Sequence, residues 1–358
     1  MRVTQLRLGQ FRIFAQLTWQ PAPGLNLIYG DNAAGKTTLL EAMAVLSRGR
    51  SFRTPQLAEL AQHDTDGAWQ VGAEVQPSTS APDAWRGRYE QRRLALSCNR
   101  QPVTLVDAAR SLPILTVVPG LHRVIDEGPG VRRGLIDWGL FHVEPSFLTD
   151  WRQYQRVLRQ RNALLKQRVG LDRLEPWTQM LADHGERLAA VRQQYVDRLE
   201  PEFVATAKRL LPEIHPRLRL VSGWPIRQLS LAEALAQHSD TDRQLGFTRV
   251  GPHRAELRIL ANDHAARATL SRGQQKLLVL SFVLAQAQGV AEATQVWSPL
   301  LIDDWAAELS PASADRLWTV LQDYPGQRWL TDFTPPTGRS LAADGAVFHV
   351  EQGGLRQC

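Results

Sequence analysis

The sequence is poor in cysteine, and its two cysteines, Cys98 and Cys358, stand far apart in the chain. Two thiols allow neither the disulfide framework of a small secreted protein nor a thiolate zinc cluster. The nine histidines include no H-E-x-x-H pair, which excludes that class of metalloprotease. No apolar run approaches the roughly 18 residues of a membrane span, and the N-terminus has no secretory h-region. We expect a soluble, cytoplasmic protein without a membrane partner.

Lysine is also scarce, because only four of the 42 basic residues are lysine and the rest are arginine. Arginine suits bidentate phosphate contacts and stacking on bases. Codon bias in a GC-rich genome explains such an excess equally well, so the placement of the arginines must decide. The formal net charge is +6, and 43% hydrophobic with 22% charged residues is ordinary for a globular protein. A chain of 358 residues predicts two domains.

Residue patterns predict strands towards both ends of the chain and a helical middle. Between residues 145 and 211 apolar residues follow helical spacing. Gly170, Pro176 and Pro201 interrupt this run, which predicts several helices instead of one long coiled-coil arm. Short strands are expected around 3–8, 11–14, 25–29, 218–221, 255–260 and 299–302, and further strands within 69–118. Helices are expected at 38–46 and 273–287.

The segment from Gly30 to Thr37 fits the phosphate-loop pattern G-x-x-x-x-G-K-[ST]. It follows an apolar strand and precedes a helix, which is the context that phosphate binding needs. Backbone N–H groups of such a loop cradle phosphate oxygens, Lys36 would meet the β- and γ-phosphates, and the Thr37 hydroxyl would bind Mg²⁺. The residues predicted to bind ATP here are Gly30, Asp31, Asn32, Ala33, Ala34, Gly35, Lys36, Thr37 and Thr38.

Two aspartates end the very apolar strand at 299–302. We assign Asp303 to the Mg²⁺ site and Asp304 to polarising the attacking water, so that Asp304 and Lys36 are the predicted catalytic residues. An aspartate at a strand end is also a common turn residue or helix cap. The phosphate loop elsewhere in the chain favours the functional interpretation.

The peptide Leu270–Gln275 (LSRGQQ) precedes a predicted helix. A serine and a glycine at a helix N-terminus form a second anion site, which one nucleotide in one chain does not need. We therefore predict a head-to-tail homodimer in which Ser271, Arg272, Gly273 and Gln274 cap the γ-phosphate held by the partner's Lys36. The alternative is a plain serine N-cap.

These three motifs together are typical of ATPases of the ATP-binding-cassette (ABC) type, in which L-S-x-G-Q is the signature. Further segments resemble the RecF family of bacterial recombination mediators along nearly the whole chain. They are Gly49–Arg53 (GRSFR), Gly128–Trp138 (GPGVRRGLIDW), Leu158–Leu164 with Arg159-Gln160-Arg161-Asn162, and Gly251–Arg254 (GPHR). The last three are more family-specific than any ATPase motif.

The resemblance implies an α/β fold: an ABC-type P-loop ATPase head with mixed sheets and flanking helices, formed by 1–120 and 240–358, and a mainly helical lobe at 121–239. It implies a weak, ATP- and Mg²⁺-dependent ATPase whose dimer binds single-stranded and gapped duplex DNA. It also implies RecR and RecO as partners in loading a recombinase. Two alternatives stay open: an ATPase subunit of another complex, such as a transporter, and a catalytically weak DNA-binding module.

The chain departs from the family pattern after the double aspartate. The family usually continues with S-E-L-D, a loop that touches the partner subunit, whereas this chain has Ala307-Glu308-Leu309-Ser310. We expect the change to weaken the dimer contact or the coupling between two sites. Thr331-Asp332-Phe333 also differs from the small residues that are usual there.

Arginines in the helical lobe are the candidates for DNA binding. Arg152, Arg156 and Arg159 share one helical face, and Arg161 lies on another. A basic face follows a phosphate backbone without reading its sequence. A solvated helix face is the alternative. Arg132 and Arg133 are expected to have a structural or interface role near Asp137.

Overall fold

The computed structural model of the chain describes residues 1–63, 65–77, 81–121, 123–335 and 338–358. Contacts between Cα atoms divide the chain into two compact units. Unit 1 comprises Met1–Leu121 and Val290–Cys358, and unit 2 comprises His122–Gly289. One unit is thus inserted into the sequence of the other.

Unit 1 holds most of the strands, numbered here in chain order through both units. Its first part contains β1 (Arg2–Phe11), β2 (Phe14–Trp19), β3 (Leu25–Tyr29), α1 (Lys36–Arg48), a short 3-10 helix (Leu57–Leu60), β4 (Trp69–Gln76), β5 (Asp83–Glu90), β6 (Arg93–Cys98), β7 (Gln101–Pro102), α2 (Leu105–Ser111) and β8 (Leu115–Val117). Its second part contains β12 (Leu300–Ile302), α11 (Pro311–Asp323), β13 (Arg328–Asp332), β14 (Ala346–Glu351) and β15 (Gly354–Gln357).

The strands of unit 1 form two sheets. One is antiparallel with the order β2-β1-β4-β5-β6-β7, and the other has the order β15-β14-β3-β13-β12-β8. In the second sheet β14, β3, β13, β12 and β8 are parallel, and β15 pairs with β14 in the antiparallel sense. The carboxyl ends of parallel strands meet at one edge of a sheet, where α/β proteins bind ligands. The segments after β3, β12 and β13 therefore come together.

Helix α1 forms the centre of the core of unit 1. All residues from Thr38 to Ser47 are buried. Leu39 and Met43 belong to the same apolar cluster as Leu6 of the antiparallel sheet and Ile28 of the mixed sheet. A helix packed on all sides must be apolar around its whole circumference, which explains the nearly continuous apolar sequence after the phosphate loop.

Unit 2 is mainly helical and carries one small sheet. Its elements are α3 (Arg123–Asp126), α4 (Pro129–Val143), α5 (Phe147–Lys166), α6 (Leu171–Leu210), β9 (Pro216–Val221), α7 (Leu231–Gln237), α8 (Ser239–Leu245), a 3-10 turn (Pro252–Arg254), β10 (Glu256–Ala261), β11 (His264–Ala265), α9 (Ala266–Thr269) and α10 (Arg272–Thr294), whose last turn falls in unit 1. The sheet has the order β11-β10-β9 and is antiparallel.

The prediction that prolines divide the helical run was wrong. Pro176 and Pro201 both lie inside α6, which is continuous over 40 residues. Each proline removes a hydrogen bond to the carbonyl four residues earlier. Both prolines are exposed, as are Asp172 and Asp197, the residues that carry those carbonyls. Water can therefore replace the lost bonds, while the buried face of α6 holds the helix together.

The compact units and the predicted division agree at the first boundary and differ at the second. The segment 240–289, assigned to the head from the sequence, lies in unit 2. The reason is that β10 of this segment pairs with β9 along six residues. The predicted head, 1–120 and 240–358, was drawn to include all the ATPase motifs, whereas the two units are defined by contacts between Cα atoms. The predicted division therefore stays a prediction.

Within the described residues, one helix has the length and composition of a membrane span. It is α10, and 72% of its most apolar window is buried inside the protein. The core helix of a soluble protein has the same properties, so the apolar composition of α10 is explained by its packing.

Candidate nucleotide-binding site

The predicted phosphate loop connects β3 to α1. Gly30 and Gly35 have φ angles of 151° and 115°, which side chains other than glycine rarely adopt. A Cβ atom on Gly30 would lie 2.2 Å from the carbonyl oxygen of Val350. The two glycines of the motif are thus required by the backbone, which turns sharply between the strand and the helix.

Lys36 is the first residue of α1, and its ammonium group reaches back across the loop. Its Nζ atom donates to the carbonyl oxygens of Gly30 at 2.6 Å and Asp31 at 2.9 Å. Burial lowers the pKa of Lys36, against the opposing effect of the nearby carboxylates of Asp304 and Asp303. The ammonium is only 6% exposed together with its stem. A buried cation held by loop carbonyls is poised to bind phosphate oxygens.

Asp303 joins three elements at the carboxyl edge of the mixed sheet. It follows β12 and accepts hydrogen bonds from the Thr37 hydroxyl at 2.9 and 3.0 Å. It also accepts one from the Thr331 hydroxyl of β13 at 2.7 Å. The sequence assigned Thr37 and Asp303 to one Mg²⁺ site, and in the structure the two side chains are in direct contact. Thr331, noted from the sequence only as a departure from the family pattern, was not assigned to the site, although a threonine near the end of a buried strand was a usable signal.

The oxygen atoms at this point fit Mg²⁺. Mg²⁺ is usually held by one or two carboxylates together with substrate phosphates and water, not by an all-protein cage. Thr37 and Asp303 supply a hydroxyl and a carboxylate directly beside the phosphate loop. Among the residues that the structure describes, no group of three or more His, Cys, Asp or Glu could hold a metal by itself. Thr37 and Asp303 would therefore hold the ion jointly with phosphate oxygens.

Asp304 adopts a left-handed backbone conformation with φ of 47°. Its N–H donates to the Thr331 hydroxyl at 2.8 Å. Thr331 thus contacts both aspartates, donating to one and accepting from the other. Asp304 lines a cavity of about 550 Å³ together with the loop residues Asn32–Thr38.

Two arginines that sequence reasoning did not assign to the site line the same cavity. Arg12 donates to both carboxylate oxygens of Glu41 at 3.0 and 2.9 Å, and Arg53 lies 3.8 Å from that carboxylate. The Ser51 hydroxyl also donates to Glu41. Glu41 is fully buried in α1. A lone carboxylate in an apolar helix was the signal that could have revealed this cluster, which includes two residues of the GRSFR segment.

The signature peptide begins α10 in unit 2. The Ser271 hydroxyl accepts from the Gln274 N–H at 3.3 Å, and the Gln274 side chain accepts from the Ser271 N–H at 3.0 Å. This reciprocal pattern is a capping box. Ser271 and Arg272 are exposed, and Gly273 and Gln274 are half-buried. The serine N-cap considered as the alternative is thus present, and it leaves Ser271 accessible.

One predicted DNA contact is contradicted by the structure. Arg161 is completely buried and pairs with Asp242 at 2.9 Å, while Thr248 accepts a further hydrogen bond from it at 2.7 Å. A side chain in that environment cannot reach a DNA backbone. Arg152, Arg156 and Arg159 are all exposed on α5, so the predicted basic face consists of these three residues.

Arg132 and Arg133 have structural partners within unit 2. Arg132 pairs with Glu256 at 2.6 Å, and Arg133 donates to the carbonyl of Ala255 at 2.7 Å. Asp137, expected to be associated with them, is instead bound through both oxygens by Arg192 at 2.8 Å. The long-range partner on α6 could not be inferred from local sequence.

The fold is that of an ABC-type P-loop ATPase head. Residues 2–330 match the family described as RecF/RecN/SMC N terminal domain. A crystal structure of the Smc head bound to the C-winged helix domain of ScpA superposes with a TM-score of 0.63, covering 100% of this chain and 97% of that one. At 15% identity this similarity concerns the fold alone.

Curated relatives narrow the class further. The DNA replication and repair protein RecF of Stenotrophomonas maltophilia (strain R551-3) is 38% identical over 365 residues, which cover 98% of each chain. RecF of Thioalkalivibrio sulfidiphilus (strain HL-EbGR7) is 36% identical over 364 residues, which cover 99% of each chain. The structure of the recombination mediator protein RecF-ATP in the RecFOR pathway has a TM-score of 0.83 at 26% identity, covering 99% of this chain and 97% of that one. The chain belongs to the RecF family.

Proposed function

We propose that this chain is an ATP-dependent DNA-binding mediator of recombinational repair. The observation that carries the proposal is the contact between Thr37 of the phosphate loop and Asp303, at 2.9 Å. This contact places a hydroxyl and a carboxylate beside the buried lysine at one edge of the sheet. These are the groups that bind Mg-ATP in P-loop proteins. The similarity to a RecF solved with ATP supports the same assignment.

Each residue of the site has a distinct role in the proposed reaction. Backbone N–H groups between Gly30 and Thr38 bind phosphate oxygens, and Lys36 neutralises the β- and γ-phosphates. Thr37 and Asp303 would hold Mg²⁺, which would supply charge compensation to the phosphates. Asp304 orients and polarises the attacking water. Hydrolysis is slow and acts as a switch.

The second half of the site is supplied by another copy of the chain. The accessible N-terminus of α10, with Ser271 to Gln274, would cap the γ-phosphate bound by the partner's loop. The changed loop after Asp304 is expected to weaken the dimer contact or the coupling between the two sites, because Ala307 lacks the side-chain hydroxyl that is usual there. Ser310 caps α11, since its hydroxyl accepts from the Ser313 N–H at 3.3 Å.

The ATP-bound dimer binds gapped and single-stranded DNA through backbone contacts. Arg152, Arg156 and Arg159 form an exposed basic face on α5, which suits a phosphate backbone. The RecFOR pathway named for the solved relative supports RecR and RecO as partners in loading a recombinase. The work would take place in the cytoplasm.

Fluorescence anisotropy of a labelled gapped duplex tests this function. The protein is titrated in Mg-ATP and in Mg-ADP near physiological salt. We expect binding at least roughly tenfold tighter with ATP, because nucleotide-driven dimerisation doubles the basic surface. Equal, weak and salt-sensitive binding in both nucleotides would contradict the proposal and reduce the arginines to generic charge.

A further inference from the structure

Two segments that carry the family resemblance, 128–138 and 251–254, belong neither to the phosphate loop nor to the Asp303 strand. In unit 2 they line one cavity of about 280 Å³ together with residues of α5 and α6. We call it the α4 cavity. Its lining includes Arg133, Gly134, Asp137, Trp151, Arg192 and His253.

Most charges in the α4 cavity are neutralised from within. Asp137 accepts from Arg192 through both oxygens at 2.8 Å. Burial lowers the pKa of His253 to about 4, so the imidazole is neutral near pH 7. Its Nε2–H donates to the carbonyl of Thr248 at 3.0 Å, which leaves Nδ1 to accept the Tyr154 hydroxyl at 2.6 Å. The uncompensated charge of the cavity is that of Arg133.

Arg133 differs from the arginines around it. Arg132, Arg161 and Arg192 each pair with a carboxylate. The half-buried Arg133 donates to the carbonyl of Ala255, and it forms no ion pair with any residue in the described parts of the chain. A partly desolvated guanidinium without a counter-ion favours binding of an external anion.

Access to Arg133 is unusually open for a helical surface. Gly134 lies inside α4 and is exposed, and a Cβ atom added there would meet nothing within 4 Å. Glycine inside a helix is destabilising, and the packing of the chain does not require it at this position. Gly130, also exposed, lies in the first turn of α4, where N–H groups lack intrahelical partners and the helix dipole attracts anions. The bare backbone lets a ligand approach closely.

We propose that the α4 cavity binds a phosphate group of DNA, with Arg133 as the direct contact. This inference rests on the proposed DNA binding and deepens it. Trp151 and Gln155 of α5 line the cavity, and the exposed Arg152 and Arg156 follow them by one residue on the same helix. A backbone running along that basic face brings one phosphate to the cavity mouth. The phosphate is either an internal phosphodiester or the terminal phosphate at a gap.

The test uses full-length protein, Mg-ATP and labelled gapped duplexes whose recessed 5′ end carries either a phosphate or a hydroxyl. Arg133→Gln should weaken binding about tenfold and reduce the slope of log K against log salt by about 1. Arg133→Lys should restore part of both. An effect of Arg133→Gln confined to the phosphorylated duplex identifies the terminal phosphate, and an equal effect on both duplexes identifies an internal phosphodiester.

Two controls separate charge from folding. Arg219→Gln removes an exposed arginine on β9 of the same unit and should leave affinity within about twofold. Gly134→Glu places a carboxylate at the cavity mouth, where an added Cβ atom meets nothing within 4 Å, and should weaken binding as Arg133→Gln does, whereas Gly134→Ala should not. If the wild type binds DNA in an ATP-dependent way but Arg133→Gln and Gly134→Glu leave affinity and salt slope unchanged, the cavity proposal is wrong. If the wild type does not bind DNA, the proposed function itself fails.

Discussion

Thr331 shows how one hydroxyl can organise the chemistry of a site. It is completely buried, donates to Asp303 and accepts from the Asp304 N–H. Asp303 is the proposed Mg²⁺ ligand and Asp304 the proposed water-polarising residue. The orientation of both therefore depends on a neighbouring strand that is not part of either ATPase motif.

Replacing Thr331 with valine tests this dependence. Thr331→Val keeps the shape but leaves the Asp304 N–H without its acceptor, so we expect kcat for ATP hydrolysis to fall about tenfold or more. ATP affinity should change little, since the loop and Lys36 are untouched. Thr331→Ser keeps the hydroxyl and is the control. A normal kcat in the valine variant would show that β12 alone positions the aspartates.

Arg161 and Arg159 stand two residues apart on α5 and have opposite roles. Arg161→Ala leaves Asp242 as a buried, uncompensated charge, and we expect a loss of roughly 3–5 kcal/mol in the free energy of unfolding. Arg159→Ala should change stability by less than about 0.5 kcal/mol and should weaken DNA binding instead. Urea unfolding and anisotropy separate the two. A stable Arg161→Ala variant with weakened DNA binding would restore the original assignment of Arg161.

Sequence reasoning selected candidate site residues that belong to local patterns. Gly30, Lys36 and Thr37 belong to one short pattern, and Asp303 follows a strand that is apolar enough to recognise. Thr331, Arg12 and Glu41 were not assigned to the site, because their contacts are with partners distant in the chain, which only the fold brings together. The same reason explains why Arg161 was assigned to the surface: helical spacing places a residue on a face but does not say what packs against that face.

At the scale of elements, strand endings and helix breaks were the least predictable features. Separate strands were expected at 3–8 and 11–14, but β1 continues to Phe11, because Gly9 pairs with Gln16 on one side and Gln70 on the other. The chain reverses at Arg12, whose φ is 56°. Pairing on both edges of β1 overrode the local preference of glycine for a turn.

Helix α6 offers a direct test of how packing overrides local propensity. Pro201→Ala restores the N–H that bonds to the Asp197 carbonyl and removes a strong helix breaker. The gain is reduced because alanine also frees the unfolded chain, so we expect the free energy of unfolding to rise by about 1–2 kcal/mol. Urea unfolding measures this change. A destabilised variant would mean that Pro201 itself makes a necessary contact or bend.

At the scale of the whole molecule, the ATPase motifs are divided between the two compact units. The phosphate loop and the double aspartate lie in unit 1, and the signature peptide lies in unit 2. In the proposed dimer, the phosphate loop of one copy and the signature peptide of another bind the same nucleotide. Measuring dimerisation is therefore the most direct test of the proposed head-to-tail arrangement.

Lys36→Arg should keep the fold but abolish ATP-driven dimerisation. The bulkier guanidinium cannot replace an ammonium that sits between the Gly30 and Asp31 carbonyls. Sedimentation velocity with and without Mg-ATP measures the dimer fraction, and thermal unfolding without nucleotide confirms the fold. An unchanged dimer fraction would mean that the dimer does not depend on the γ-phosphate contact.

Ser271→Ala separates binding in one subunit from capping by the other. The hydroxyl is exposed at the start of α10 and accepts a hydrogen bond from the local Gln274 N–H. Losing this cap should lower the free energy of unfolding by about 1 kcal/mol, while ATP binding by the monomer stays as in the wild type. The ATP-dependent dimer fraction should fall at least about tenfold. If the variant instead loses ATP binding as a monomer, Ser271 acts on the nucleotide of its own subunit, and the head-to-tail arrangement is wrong.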